Sequence, residues 1–287
     1  MRHPKSRILR KALSSAAPVT VVGANSGLTA VLAENAGFEA VWVSSFEVSA
    51  ARALPDTSLL SMTDYLQTAV QVDRATSLPV VADCDTGFGN ALNVAHMVRE
   101  YEASGIAAVC IEDKVFPKIN SFAPGAQRLV DADEFARRIA VGKDVQSDPD
   151  FLLIARTEAY IAGYGTDEVL RRAEMYADAG ADAVLIHSKS DGPEQITDFM
   201  QRWTRPCPVV VVPTTYYHWT VDEARQAGVS MVIYANHGLR ASIAAVREIY
   251  GSIRDTGSSA KVEQEIASVS EVFALQQLDS WLAMESK

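Results

Sequence analysis

Ala179-Gly-Ala-Asp-Ala-Val-Leu-Ile-His-Ser188 is the stretch on which the reading of the whole chain turns. A helix needs a residue just past its end that tolerates the left-handed conformation, and Gly is the usual choice. Gly180 follows a segment of helical periodicity, Thr166–Ala179, and precedes a short apolar, β-branched run, Ala183–Ser188. The same junction recurs as Ala36-Gly37-Phe38, Ser104-Gly105-Ile106 and Ala227-Gly228-Val229, each ahead of another apolar run. A helix, a Gly stop and then a strand make half of a parallel βαβ unit, so a repeated parallel architecture is predicted.

Working outward, eight runs read as strands: Val19–Asn25, Ala40–Ser44, Pro79–Asp85, Ala108–Asp113, Phe151–Thr157, Ala183–Ser188, Val209–Thr214 and Met231–Asn236. No G-x-G-x-x-G turn follows the first of them, which favours a closed (β/α)₈ barrel of the TIM type over an open doubly wound sheet. The 287 residues, 48% of them hydrophobic, are enough for one barrel domain spanning 1–287. Two segments exceed the bare barrel. Residues 114–150 are read as a lid or gating insertion, because loops this long seldom lack a role. Residues 239–287 are read as a C-terminal helical extension: Leu239–Ile253, a polar joint at Asp255–Ser259, and one helix from about Val262 to Met284. The apolar positions Val269, Phe273, Leu275, Leu278 and Leu282 of that last helix need a surface to cover, on its own barrel or on a neighbouring subunit.

Composition narrows the function classes. Lys+Arg 26 against Asp+Glu 36 gives a net charge of −10, and no basic cluster suited to nucleic acid is present. An anionic ligand would have to be held by a local arrangement of metal, Arg and backbone N–H groups. Cys84, Cys110 and Cys207 follow no metal-ligand spacing and fit a reduced, cytoplasmic protein. The basic start Met1–Arg10 is followed by too short an apolar stretch for a signal peptide, and no run is long enough to span a membrane.

Catalytic residues of such barrels sit at the C-terminal ends of the strands. Those ends carry Ser44, Asp83, Asp85, Glu112, Arg156, His187, Thr214 and Asn236. Asp83 and Asp85 are two residues apart and share a face, Glu112 ends the next strand, and Asp56 lies in the loop after strand two. Convergent carboxylates repel one another unless a cation neutralises them. Oxygen ligands alone select a hard ion, Mg²⁺ or Mn²⁺, although any single Asp could equally cap a helix. Arg156 matches the oxygens of a phosphoryl or carboxylate group, or else forms a buried ion pair with Glu158 or the acidic cluster. His187 reads as a hydrogen-bond donor or a satisfied strand-end histidine rather than a proton carrier. Cys84 should face the helices, and Cys110 should lie deep beneath Glu112; neither reads as a nucleophile.

Several long motifs resemble the phosphoenolpyruvate mutase and isocitrate lyase superfamily. They are Asp83-Cys-Asp-Thr-Gly-Phe-Gly-Asn90, Ile111-Glu-Asp-Lys-Val-Phe-Pro-Lys-Ile-Asn-Ser121, Ile154-Ala-Arg-Thr-Glu-Ala-Tyr-Ile-Ala-Gly163, Ile186-His-Ser-Lys189, Val212-Pro-Thr214 and Ile233-Tyr-Ala-Asn-His237. The resemblance runs from about Leu13 to Leu282. Lyase members carry a Lys-Lys-Cys-Gly-His type loop, whereas this loop reads Lys118-Ile-Asn-Ser121, as in the phosphonopyruvate branch. Asn120 resembles the mutases of that branch; the sequence Ser45-Phe46-Glu47 resembles its hydrolases.

The resemblance implies interconversion of phosphoenolpyruvate and 3-phosphonopyruvate, with phosphonopyruvate hydrolysis, then cleavage of a malate-like diacid, as alternatives. A degenerate, non-catalytic barrel is the remaining contrast. The resemblance further implies Mg²⁺ at Asp83, Asp85 and Glu112, with Asp56 reaching it directly or through water. It places Ser44, Ser45, Phe46, Asn120, Ser121, Arg156 and His187 around the substrate, and puts Asp56, Lys118, Asn120, Arg156 and His187 among the catalytic groups. Finally, it implies a homotetramer, a dimer of dimers, in which C-terminal helices exchange between subunits.

Overall fold

A computed structural model of the chain describes residues 4–285. Eight parallel strands close into a barrel in chain order: β1 (Val19–Gly23), β2 (Ala40–Val43), β3 (Val80–Asp83), β4 (Ala108–Glu112), β5 (Leu152–Thr157), β6 (Ala183–Ile186), β7 (Val209–Val211) and β8 (Met231–Tyr234). β1 pairs with β8 through Val19↔Met231 to Val22↔Tyr234, which seals the ring. The (β/α)₈ expectation holds. The strands are shorter than the apolar runs, because Asn25, Ser44, Ser188, Thr214 and Asn236 lie beyond them in the loops of the C-terminal rim, while Asp85, also beyond its strand, still accepts from Glu112 N–H at 2.7 Å.

Alternation along each strand divides the apolar residues into two layers. Val21, Trp42, Val81, Cys110, Ile154, Leu185, Val210 and Ile233 fill the barrel, and Leu9 and Leu13 of the helix Pro4–Leu13 join that inner cluster. Val41, Ala82, Cys84, Val109, Ile111, Val184 and Val211 face outward against the helices. Cys84 and Cys110 therefore lie on the two sides predicted, and burial pushes both thiols well up, away from nucleophilic character. On the inward face the next positions up are Asp83, Glu112, Arg156 and His187, so the polar site is the uppermost layer of the barrel interior.

All four Gly junctions close in one way. At the end of Thr166–Asp178, Gly180 N–H donates to Ala177 O at 3.0 Å and Ala181 N–H to Tyr176 O at 3.1 Å, the paired bonds of a Schellman cap. Gly37, Gly105, Gly180 and Gly228 have φ of 82°, 88°, 100° and 89°. A Cβ on Gly37 would meet nothing within 4 Å, so only backbone strain opposes a side chain there. Gly37→Ala is accordingly expected to lower stability by about 1–2 kcal/mol in urea unfolding, without changing the m-value.

Two expectations about the connecting segments need correction. Within 114–150, Ala132–Val145 is the regular barrel helix that follows β4, so the irregular excursion ends near Asp131. The C-terminal unit, 237–287, begins with the helix His237–Thr256. It does not continue as one helix from Val262. Two short helices, Val269–Leu275 and Leu278–Glu285, are separated at Gln277, whose φ of 57° cannot belong to a continuous helix. Within this unit Ile243, Val246, Tyr250, Val269, Phe273 and Trp281 are exposed. No described helix is long and apolar enough to cross a membrane.

Candidate active site

The chain between β4 and the helix Ala132–Val145 leaves and returns at one place. Lys114 bridges to Leu129, Val115 N–H donates to Arg128 O at 2.9 Å, and Val130 N–H donates to Asp113 O at 2.9 Å. With its ends clamped, the excursion lays Lys118–Ser121 over the barrel mouth. Lys118 Nζ lies 2.7 Å from each carboxylate oxygen of Asp56 and 3.1 Å from Asp85 Oδ1. Burial works against the ammonium, but Asp85, Glu112, Asp56 and Asp83 outweigh it and hold its pKa well above the ordinary value. Asn120 Nδ2 donates to Asp56 Oδ2 at 2.7 Å, and Ser58 Oγ accepts from Lys118 N–H at 3.2 Å. The segment after the helix Ser45–Ala51 and this excursion are thus tied together through Asp56 and Ser58.

Beneath this excursion stand the strand-end acids. Ser45 donates to Asp83 Oδ2 from its hydroxyl at 2.9 Å and its backbone N–H at 3.3 Å, while Asp85 N–H donates to Asp83 Oδ1 at 3.3 Å. Ser44 caps the helix Ser45–Ala51, and Phe46 is the partly exposed second residue of that helix. Asp85 has φ of 48°, a left-handed conformation that Asp tolerates better than most residues. Burial raises the pKa of Asp85 and pushes that of Glu112 up to about 7.

Two buried carboxylate oxygens, Asp85 Oδ1 and Glu112 Oε1, accept no hydrogen bond. The first lies near the Lys118 ammonium without hydrogen-bond geometry, so that contact is one of charge only. Such oxygens suit a hard cation. Among the described residues, however, no three His, Cys, Asp or Glu side chains close on a common point, so Asp83, Asp85 and Glu112 do not form a direct three-ligand cage. The set fits an ion that keeps much of its own water, as Mg²⁺ does.

On the adjoining strands, Glu112 of β4 pairs in register with Arg156 of β5. Arg156 Nε lies 3.3 Å from Glu112 Oε2 and donates to Glu158 Oε1, so the buried ion pair expected as one alternative for Arg156 is present. His187 Nδ1 lies 2.7 Å from Glu158 Oε1 and 2.8 Å from Arg156 Nη2. It can satisfy only one of them. An imidazole lone pair facing a carboxylate would be repulsive, whereas Arg156 already has carboxylate partners, so the network assigns the proton to Nδ1, pointing at Glu158. Burial lowers the pKa of His187, and Arg156 lowers it further, which favours the neutral ring.

Sequence reasoning treated Glu158 only as a partner for Arg156 and passed over Lys114 and Ser58. Lys114 Nζ donates to Ser121 Oγ at 2.7 Å and lies 3.2 Å from Glu158 Oε2. The one available signal was charge: a Lys and a Glu inside apolar strand-end motifs must find partners.

A parallel barrel with acids, a guanidinium and a strapped loop at its C-terminal mouth has the form of a barrel enzyme. Residues 9–254 match the family described as phosphoenolpyruvate phosphomutase. The chain is 44% identical over 285 residues to the phosphonopyruvate hydrolase of Variovorax sp. (strain Pal2), covering 99% of this chain and 98% of that protein. It superposes on the solved phosphoenolpyruvate phosphomutase of Streptomyces platensis subsp. rosaceus with a TM-score of 0.97 and 53% identity, covering 98% of each chain. A phosphonopyruvate hydrolase solved as a complex with oxalate and Mg²⁺ gives a TM-score of 0.94 and 42% identity, covering 100% of this chain and 99% of that one. The chain belongs to the phosphoenolpyruvate phosphomutase family, an enzyme family with mutase and hydrolase members.

Proposed function

We propose that this chain is the mutase that interconverts phosphoenolpyruvate and 3-phosphonopyruvate. The observation that carries the reading is the placement of Asn120. Its amide is held over the mouth by Asp56 at 2.7 Å, next to the Lys118 ammonium. An amide can hydrogen-bond a phosphoryl oxygen but cannot act as a base towards water. Phosphoryl transfer through a loose, metaphosphate-like transition state needs positioning, charge and dryness more than covalent help.

The chain's own residues meet those needs. Ser44, Ser45 and Phe46, at the start of their helix, would hold phosphoryl oxygens together with Asn120, Ser121 and Arg156. Neutral His187 would offer a hydrogen bond near the migrating group. Lys118 would balance Asp56 and Asp85, and the lid would exclude water, to which metaphosphate would otherwise be lost. Mg²⁺, with Mn²⁺ as a substitute, would supply positive charge for the carboxylate and enolate oxygens of the substrate when bound at Asp85, with Asp83 and Glu112 reaching it directly or through water.

Phosphonopyruvate hydrolase is the second reading, favoured by the Variovorax relative and by the Phe46-Glu47 pair. The test is phosphorus NMR of phosphonopyruvate incubated with protein and Mg²⁺. A phosphoenolpyruvate resonance growing in establishes the mutase. Inorganic phosphate as the only product makes the chain a hydrolase, and no change with or without metal rejects both.

The exposed apolar residues of the C-terminal unit support assembly into a homotetramer of two dimers, with helices exchanged between copies. A chain ending at Ser258 is expected to lose that state in light scattering. If the truncated chain stays soluble with its oligomeric state unchanged, exchange is ruled out.

A further inference from the structure

Glu158 is buried just past the end of β5 and binds more groups of the site than Asp56 or Asp83 does. Its two oxygens face different clients. Oε1 accepts from Arg156 Nε and from His187 Nδ1, the latter at 2.7 Å. Oε2 accepts from Ser121 Oγ at 2.6 Å and lies 3.2 Å from Lys114 Nζ. Ser121 belongs to the lid, and Lys114 is the lid's first residue. Ser121 Oγ also lies 3.3 Å from Arg156 Nη2, and the lid residue Phe122 meets the His187 ring edge-on with centroids 5.8 Å apart. The Glu158 backbone is fixed from behind: Asp113 Oδ1 accepts Glu158 N–H at 2.8 Å, while Asp113 Oδ2 is held by Tyr176 at 2.7 Å and Arg172 at 3.1 Å.

We propose that Glu158 is a positioning residue that couples the lid to the wall groups: arrival of Ser121 at Oε2 completes the bonding that fixes Arg156 and the Nδ1–H tautomer of His187 through Oε1. The proposal rests on the reading above in assigning Arg156 and His187 to the substrate. It goes further in making their orientation depend on lid closure. A carboxylate can serve both clients because both oxygens accept. A Gln amide has one accepting oxygen and one donating nitrogen, so it must fail either the wall pair or the lid.

Three readouts on Glu158→Gln and Ser121→Ala decide the matter: turnover of phosphonopyruvate with Mg²⁺, ¹⁵N shifts of the His187 ring, and amide hydrogen exchange across 114–131. For Glu158→Gln, kcat is expected to fall by about 10²-fold with a much smaller change in KM, as for misplaced catalytic groups. The ring shifts should move from the Nδ1–H pattern to a mixture, and exchange across the lid should rise. Ser121→Ala should raise lid exchange and also move the His187 shifts, although Ser121 does not touch that ring nitrogen. Lower thermal stability with unchanged ring shifts and lid exchange would make Glu158 merely structural and overturn the proposal. If Glu158→Gln does not fold, Ser121→Ala decides alone, and unmoved His187 shifts in it would overturn the proposal. Wild-type protein inert towards phosphonopyruvate would sink the functional reading, while ring shifts and exchange would still judge Glu158.

Discussion

Arg156→Ala is expected to lose both activity and stability. Arg156 is the buried cation shared by Glu112 and Glu158, with Nε 3.3 Å from the Glu112 carboxylate and hydrogen-bonded to the other. Removing one member of a buried ion pair leaves an uncompensated charge, which costs about 3–5 kcal/mol. Glu158 keeps Lys114 at 3.2 Å and can lean on it. Among the described residues Glu112 has no second cation within ion-pair distance; Lys114 and Lys118 act on it from further off, and its carboxyl should take up a proton more readily than in the parent, where burial already raises its pKa to about 7. Under the proposed function, loss of the guanidinium also removes a donor to the phosphoryl oxygens of the transition state, an expected effect of about 10²–10³-fold in turnover. Urea unfolding and phosphonopyruvate turnover measure the two losses separately. A stability change under 1 kcal/mol would show that the mouth relaxes around the missing charge and that the pairing described for Arg156 is dispensable.

Asp85→Asn should behave in the opposite way, with activity lost and the fold kept. Burial raises the pKa of Asp85, and Asp83 and Asp56 raise it further, so its charge is held at a cost that Lys118 only partly offsets. Asn fits the same space and accepts the left-handed backbone at φ 48°. Lys118 retains both oxygens of Asp56. Stability is therefore expected within about 1 kcal/mol of the parent, and on the more stable side, as is common when a strained functional group is removed. Turnover with Mg²⁺ should fall by at least about 10³-fold, the equivalent of about 4 kcal/mol of transition-state stabilisation by the ion. Under the proposed function Mg²⁺ is expected to raise the melting temperature of the parent, and that rise should vanish in Asp85→Asn. A destabilisation above about 2 kcal/mol would mean that Asp85 holds the fold together rather than the ion.

Most of the barrel was legible because its strands are buried on both faces and so read as unbroken apolar runs, while Gly stops mark the helix ends. Strand ends were read too long. Ser44 and Asn236 continue the pattern, but pairing stops where neighbouring strands splay into loops, and pairing is not written in one segment alone. The C-terminal helices were merged for a related reason: apolar spacing carries across Gln277, and only its backbone angle shows the break. At the mouth, Asp83, Asp85, Glu112, Arg156 and His187 could be picked out as polar residues where apolar ones belong. That Lys118 and Asn120 both meet Asp56 could not be derived from spacing, because 62 and 64 residues separate them. Glu158 was legible as an ion-pair partner but not as a hub, since three of its partners arrive from the lid and from β6.

The four identical caps lie at one end of the strands and the chemistry lies at the other. Short Ala-Gly or Ser-Gly turns fix where a strand begins; the loops that leave its far end are free to be long, as between Asp113 and Asp131. Folding instructions and reaction instructions are therefore written in separate parts of each repeat. A lineage can retune the upper loops, exchanging water exclusion for water admission, while the lower turns preserve the scaffold. Inherited architecture and acquired chemistry can then drift at different rates within a single chain.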